Sequence, residues 1–214
     1  MTITVTAFAW VPPVAQGLVR DLRVRWALEE AGLQYDEQLL RLGENKLEPH
    51  LRLQPFGQVP SYQEDGICIF ESGAVVLHIA EHCAQLMPTD RYQRARTKTW
   101  MFAALNTVEP PVVFLNQLQR MDSPEARAIQ GPVTAAIQGR LDSLANYLGD
   151  RDYLEHEFTA GDLLMTSVLR ILRTTDLVRA SPILQRYQER CQARPAFERA
   201  LSSQMAAFEA NKPS

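Results

Sequence analysis

Val59-Pro60 stands at the entrance of an apolar stretch, and the proline there restricts the fold more than any other residue in the chain. Proline has no N–H to give to a sheet ladder, so Pro60 belongs at a sheet edge or at a special feature such as a cis bond, which turns the Val59 backbone outward. Downstream, Asp65-Gly66 carries the chemistry of a tight hairpin turn, and Ile67 and Ile69 alternate with Cys68 and Phe70, a pattern that predicts a strand buried on both faces. Glu71-Ser72 then opens a helix whose apolar positions are Val75, Val76, Ile79 and Ala80. The stretch therefore reads strand, turn, strand, helix.

Three ligand-binding devices meet in these residues. An outward N–H and C=O at Val59 can pair with the backbone of an extended peptide. The first N–H groups of the helix, the positive end of its dipole and the Ser72 hydroxyl suit a carboxylate. Glu71 suits an ammonium group. Together they describe a site for a small zwitterionic peptide. Gln58-Val59-Pro60 followed by Glu71-Ser72 resembles the glutathione site of the cytosolic glutathione transferases, here of bacterial type with the class left open. The resemblance implies a cis Pro60, a Val59 backbone that pairs with the cysteinyl part of glutathione, and Glu71 and Ser72 at its γ-glutamyl end. By position in the same pattern it implies Lys46 for the glycyl carboxylate and Gln58 for the peptide backbone.

The remaining chain is consistent with a two-part fold. Ile3 to Phe8 reads as a strand, and Trp10 to Gly17 as an ordered loop rich in proline and glycine. From Leu18 the spacing is helical, with Val24, Ala27, Leu28 and Ala31 on one stripe that ends at Gly32. Arg23 to Leu33 resembles the first helix of the same family. A strand follows around Tyr35 to Leu40, then a polar region from Gly43 to Gln54 with short helical pieces. The order β-α-β-α-β-β-α is that of a thioredoxin-like domain, so the expected fold class is an α/β N-terminal thioredoxin-like domain followed by an all-α C-terminal helical domain. The expected boundaries are 1–83, a linker at 84–91, and 92–214.

Within the second part, Tyr92 to Val108 predicts a helix that Pro110-Pro111 must break or sharply kink. Gly131-Pro132 punctuates a later region, before a stripe through Ile137, Leu141, Leu144 and Leu148. Thr159 and Asp162 have the spacing of a reciprocal helix cap, with Phe158 placed to staple onto Leu163, and the apolar run that follows predicts the buried axis of the helical domain. Pro182 to Arg190 and Pro195 to Phe208 read as closing helices.

A net charge of −3, without basic blocks, argues against nucleic acid as a partner. No segment has the length and apolarity of a membrane span, and the first residues lack the basic n-region and apolar run of a signal peptide. Three cysteines, Cys68, Cys83 and Cys191, form no CxxC and fit a reducing compartment, so the expected location is cytoplasmic, with the thiols buried or inert.

The family resemblance implies glutathione as co-substrate, a small electrophile as second substrate, and a homodimer. A transferase of this kind stabilises a thiolate, usually with a hydroxyl or cysteine near the start of the first helix. Here Leu18, Val19, Arg20 and Asp21 occupy that region. Arg20, or the amides opening the helix, can supply the positive field instead, which makes Arg20 the catalytic candidate. Trp10, Met101 and Leu105 are candidates for the apolar side of an acceptor pocket. His78-Ile79-Ala80-Glu81-His82 matches the H-x-x-E-H zinc motif, but no third ligand is evident and the expected metal count is none. His50 and His156 read as surface or capping residues. The missing hydroxyl favours a rival of another class, a non-catalytic member that binds a ligand or a protein.

Overall fold

Four strands, β1 (Ile3–Phe8), β2 (Tyr35–Leu40), β3 (Ser61–Glu64) and β4 (Ile67–Phe70), form one sheet in the order β2-β1-β3-β4 in a computed structural model that describes residues 2–213. Helix α1 (Asp21–Ala31) crosses from β1 to β2 and makes that pair parallel; β1 with β3 and β3 with β4 are antiparallel. Gly32 ends α1 at φ 66°, in the left-handed region that glycine enters without a steric cost. The polar region ahead of β3 holds one 3₁₀ turn (Glu44–Lys46) and the short α2 (Glu48–Leu51), and α3 (Ser72–Glu81) follows β4. This is the thioredoxin-like order expected from the sequence.

Asp65 and Gly66 turn the β3–β4 hairpin with φ 43° and 86°, the positive pair that a two-residue turn requires. The expectation that β4 is buried on both faces is corrected. Ile67 is 45% exposed, Cys68 is exposed, and Ile69 and Phe70 are half-buried, because β4 is the edge strand of the sheet. Cys68 is therefore not a buried thiol, whereas Cys191 is.

The first compact unit comprises residues 1–87 together with 193–214, so α9 (Pro195–Ala210) belongs with the sheet and not with the other late helices. This differs from a division that counts 92–214 as one body. The physical reason is a polar network. Arg25, 1% exposed, donates from Nε to Asp21 Oδ2 at 2.7 Å, from Nη2 to Glu37 Oε2 at 2.9 Å and from Nη1 to Glu37 Oε1. Helix α9 completes it, with Ser203 Oγ accepting from Arg25 at 2.9 Å and Gln204 Nε2 donating to Asp21 Oδ1 at 2.9 Å. Around this network, Trp26 meets Phe197 edge-on at 4.8 Å, and Arg194 grips Glu30 with two bonds of 2.6 and 2.7 Å.

The second unit, residues 88–192, is helical: α4 (Arg91–Phe102), α5 (Glu109–Arg120), α6 (Pro124–Leu148), α7 (Ala160–Leu169) and α8 (Pro182–Gln192). Pro110-Pro111 does not break the chain. Residues 103–108 form a π-helical stretch that passes directly into α5, and the prolines fall in its first turn, where N–H groups are not needed. The Thr107 carbonyl, which Pro111 has no N–H to serve, accepts instead from Arg140 Nε at 2.9 Å. Gly131-Pro132 likewise lies inside one 25-residue helix. Burial of Ala126 before the proline and of Ile137, Leu141, Leu144 and Leu148 after it holds both halves in one register. A methyl group on Gly131 or Gly139 would meet nothing within 4 Å. Gly139→Ala is expected to raise stability by about 0.5–1 kcal/mol, read as the denaturant midpoint at unchanged slope, whereas at Gly131 the ring of the following Pro132 crowds any Cβ in helical backbone and removes that gain.

Helix α7 is buried along its length, as the sequence predicts, and the Thr159–Asp162 capping box is formed. Among the described residues no helix is long and apolar enough to cross a membrane.

Candidate functional site

The last rung of the β3–β4 ladder pairs Ser61 with Phe70. Val59 lies two residues before this rung and Ser72 two residues after it, so the proline junction and the mouth of α3 emerge at the same end of the hairpin. The Val59–Pro60 bond is cis. Neither the amide nor the carbonyl of Val59 takes part in a hydrogen bond among the described residues, while next door Ser61 N–H is held by Thr6 Oγ1 at 2.6 Å. A main chain with both groups unengaged at a strand entrance can accept one extended peptide unit.

At the other side, the first bond of α3 runs from Val75 N–H to the Glu71 carbonyl at 3.0 Å. The N–H groups of Ser72, Gly73 and Ala74 therefore have no partner within the helix and face the positive end of its dipole. Ser72 is buried, and its oxygen accepts from Arg23 Nη1 at 3.3 Å, which leaves the hydroxyl hydrogen to donate elsewhere. Arg23 is itself buried beneath the helix mouth. Sequence reasoning did not single it out, although a charge among the apolar positions of α1 is the signal that it needs a partner.

Glu71 adopts φ 68° and ψ 114°, a conformation that side-chain-bearing residues rarely enter, and its carboxylate is exposed and makes no cap to the helix. Strain of this kind costs of order 1–3 kcal/mol and collects at functional sites.

Residues 15–81 match the family model for the glutathione S-transferase N-terminal domain. A glutathione S-transferase of Hyoscyamus muticus is 26% identical over 196 residues, covering 84% of this chain and 92% of the relative. The N-terminal part of the chain carries a glutathione S-transferase N-terminal domain. The fold agrees: glutathione transferase F7 of Populus trichocarpa superposes with a TM-score of 0.81 at 23% identity, over 95% of this chain and 99% of that one. Ure2p in complex with glutathione gives the same TM-score of 0.81 at 18% identity, over 94% and 93%.

Against the family pattern, the remaining candidates fall as follows. Lys46 is exposed and its Nζ donates to the Phe56 carbonyl at 3.1 Å. Gln58 is exposed, with its carbonyl 2.6 Å from His50 Nε2. His50, expected to be a surface or capping residue, is instead 2% exposed, because the chain from Gln54 to Gln58 folds over it. Arg20 is exposed at the N-terminal cap of α1, after a run of turns from Pro12 onward. Asp21 beside it bonds to Arg25 and Gln204. Trp10 is half-buried after β1; Met101 is buried in α4, and Leu105 is half-buried in the π-helical stretch.

The H-x-x-E-H residues are used otherwise. His78 Nε2 lies 3.1 Å from Glu64 Oε2, and the His78 ring meets both Tyr62 and His82 edge-on at 5.6 Å. Glu64 also accepts from the Tyr62 hydroxyl at 2.7 Å, and that bond holds its carboxyl below the usual range. Among the described residues no group of three or more His, Cys, Asp or Glu is placed to hold a metal ion.

Proposed function

We propose that this protein is a glutathione transferase that joins glutathione sulfur to a small electrophile, acting as a cytoplasmic homodimer. The observation that carries the reading is the unengaged Val59 main chain at the same hairpin end as the open mouth of α3. Val59 pairs with the cysteinyl unit, the α3 amides and Ser72 hold the γ-glutamyl carboxylate, and Glu71 holds its ammonium. Lys46 and Gln58 attend the glycyl end and the peptide backbone. Binding of glutathione by Ure2p, which has the same fold, supports the ligand.

The thiol must lose its proton before it reacts. A positive field from Arg20 or from the first amides of α1 favours the thiolate, whose lone pair forms the new S–C bond as the leaving group departs with its electrons. A second reading, a glutathione-binding protein without turnover, is favoured by the absence of Ser, Thr, Tyr and Cys from Val11 through Arg20.

Calorimetric titration with glutathione tests the site. Ser72→Ala is expected to weaken binding by about 10-fold or more, the worth of one hydrogen bond to a charged group. Glu71→Gly is expected to weaken binding similarly while raising stability by about 1 kcal/mol, because glycine relieves the positive φ. Unchanged affinity in both variants would overturn the site. Turnover with several electrophiles separates the two readings, and Arg20→Ala should lower it while leaving glutathione affinity intact.

A further inference from the structure

Three consecutive carbonyls ahead of Val59 are each held by a side chain from the preceding polar segment. Lys46 Nζ reaches Phe56 O at 3.1 Å, Asn45 Nδ2 reaches Gly57 O at 2.6 Å, and His50 Nε2 reaches Gln58 O at 2.6 Å. Gln54 secures the same loop from within, its side-chain oxygen accepting from Phe56 N–H at 2.7 Å and its carbonyl from Gly57 N–H at 2.9 Å. The two segments press together closely. A Cβ on Gly57, which stands at φ +59°, would lie 2.8 Å from both Asn45 O and Lys46 Cδ.

The His50 contact differs from the other two in what it controls. The C=O of Gln58 and the N–H of Val59 belong to one planar trans peptide, so they point in opposite directions. Whatever draws the carbonyl inward aims the amide outward. A carbonyl oxygen can only accept, so His50 Nε2 carries the hydrogen, and Nδ1, which is buried, has no hydrogen-bond partner among the described residues. Through Nε2 alone, then, the ring makes one hydrogen bond, to the Gln58 carbonyl.

We propose that His50 is a positioning residue of the glutathione site, fixing the Gln58–Val59 peptide plane so that the Val59 amide is presented to the cysteinyl unit before the ligand arrives. This rests on the glutathione reading above. It acts through the backbone and touches no reacting atom. Ordering that plane in advance removes a cost that binding would otherwise bear.

The test compares His50→Leu with His50→Gln in the full chain, by calorimetric titration with glutathione, thermal melting, and the amide resonance of Val59. A glutamine can place its Nε2 donor near the imidazole Nε2, whereas leucine has no donor. His50→Leu is expected to weaken glutathione binding about 10-fold and to shift the Val59 amide, with the KM for the electrophile unchanged. His50→Gln is expected to restore affinity to within about 2-fold of the wild type. If His50→Leu does not fold, His50→Asn, whose amide stops short of the Nε2 position, takes its place with the same expected loss. A folded variant without the donor that binds glutathione as the wild type does would overturn the inference, as would a folded His50→Gln as weak as the donor-free variant. Ser72→Ala is the control. If it weakens binding and loss of the His50 donor does not, the inference alone fails; if neither changes binding, the glutathione site itself is misplaced.

Discussion

Asp162→Ala is expected to lower the stability of the helical unit by about 4 kcal/mol and its melting temperature by roughly 10 °C or more. The Asp162 carboxylate is fully buried and accepts four hydrogen bonds: from Leu154 N–H at 2.9 Å, Thr159 N–H at 2.9 Å, the Tyr187 hydroxyl at 3.0 Å and the Thr159 hydroxyl at 3.1 Å. It therefore joins the cap of α7 to the preceding loop and to α8. Alanine leaves the two amides and the tyrosine without an acceptor where water cannot reach. Calorimetric melting checks this, and a variant that melts within 2 or 3 °C of the wild type would show that the carboxylate is dispensable. Tyr187→Phe, which removes one donor together with its need, should cost only about 1 kcal/mol.

The same residue sets a pH dependence. Burial pushes the Asp162 carboxyl up to about 6, against the pull of its hydrogen-bond donors. Between its unfolded value, near 4, and about 6, the folded chain keeps a proton that the unfolded chain has released. The contribution of this group is therefore fully present below the unfolded value and is lost as pH rises through 6. In Asp162→Asn that slope should vanish, which denaturant titrations between pH 4 and 7 would read directly.

Arg25→Met is the second large effect, a loss of about 3–5 kcal/mol from the sheet-containing unit. Burial alone would pull the Arg25 guanidinium down, but its bonds to Glu37 and Asp21 outweigh that and hold it charged. Without Arg25, the fully buried Asp21 keeps only Gln204 as a side-chain donor. Burial already pushes the Asp21 carboxyl up, and losing Arg25 removes a pull in the other direction, so in the variant acidification should neutralise Asp21 and recover part of the loss, a larger gain than the wild type shows from this residue. A variant as stable as the wild type at neutral pH, or one that weakens further on mild acidification, would contradict the assignment.

Local rules made the hairpin and the α7 cap legible in the sequence, because each depends on a few neighbouring residues. Asp65-Gly66 had to supply two positive φ angles, and Thr159 with Asp162 had to satisfy the first amides of a helix. The same locality misreads the prolines. Pro132 removes a helical bond inside α6 and Pro111 leaves the Thr107 carbonyl without its N–H, but whether the helix survives depends on partners such as Arg140, 29 positions beyond Pro111, and on burial along α6. Val59, Pro60, Glu71 and Ser72 were readable as a constellation in chain order. His50 and Arg23 were not, since their contacts to Gln58 and Ser72 exist only after the loop and the helices pack. The backbone carries the signal for His50: three carbonyls before Val59 need donors, and the nearest polar segment holds Asn45, Lys46 and His50.

The pairing of α1 with α9 ties residues some 180 positions apart in the chain, as in the bond from Gln204 to Asp21. During synthesis the ribosome must pass residue 210 before the charged face of the first helix can be covered, so the N-terminal half waits, incompletely closed, through most of elongation. High contact order of this kind slows folding, and it makes a chain halted before α9 a natural client for chaperones or proteases, however well its hairpin has formed.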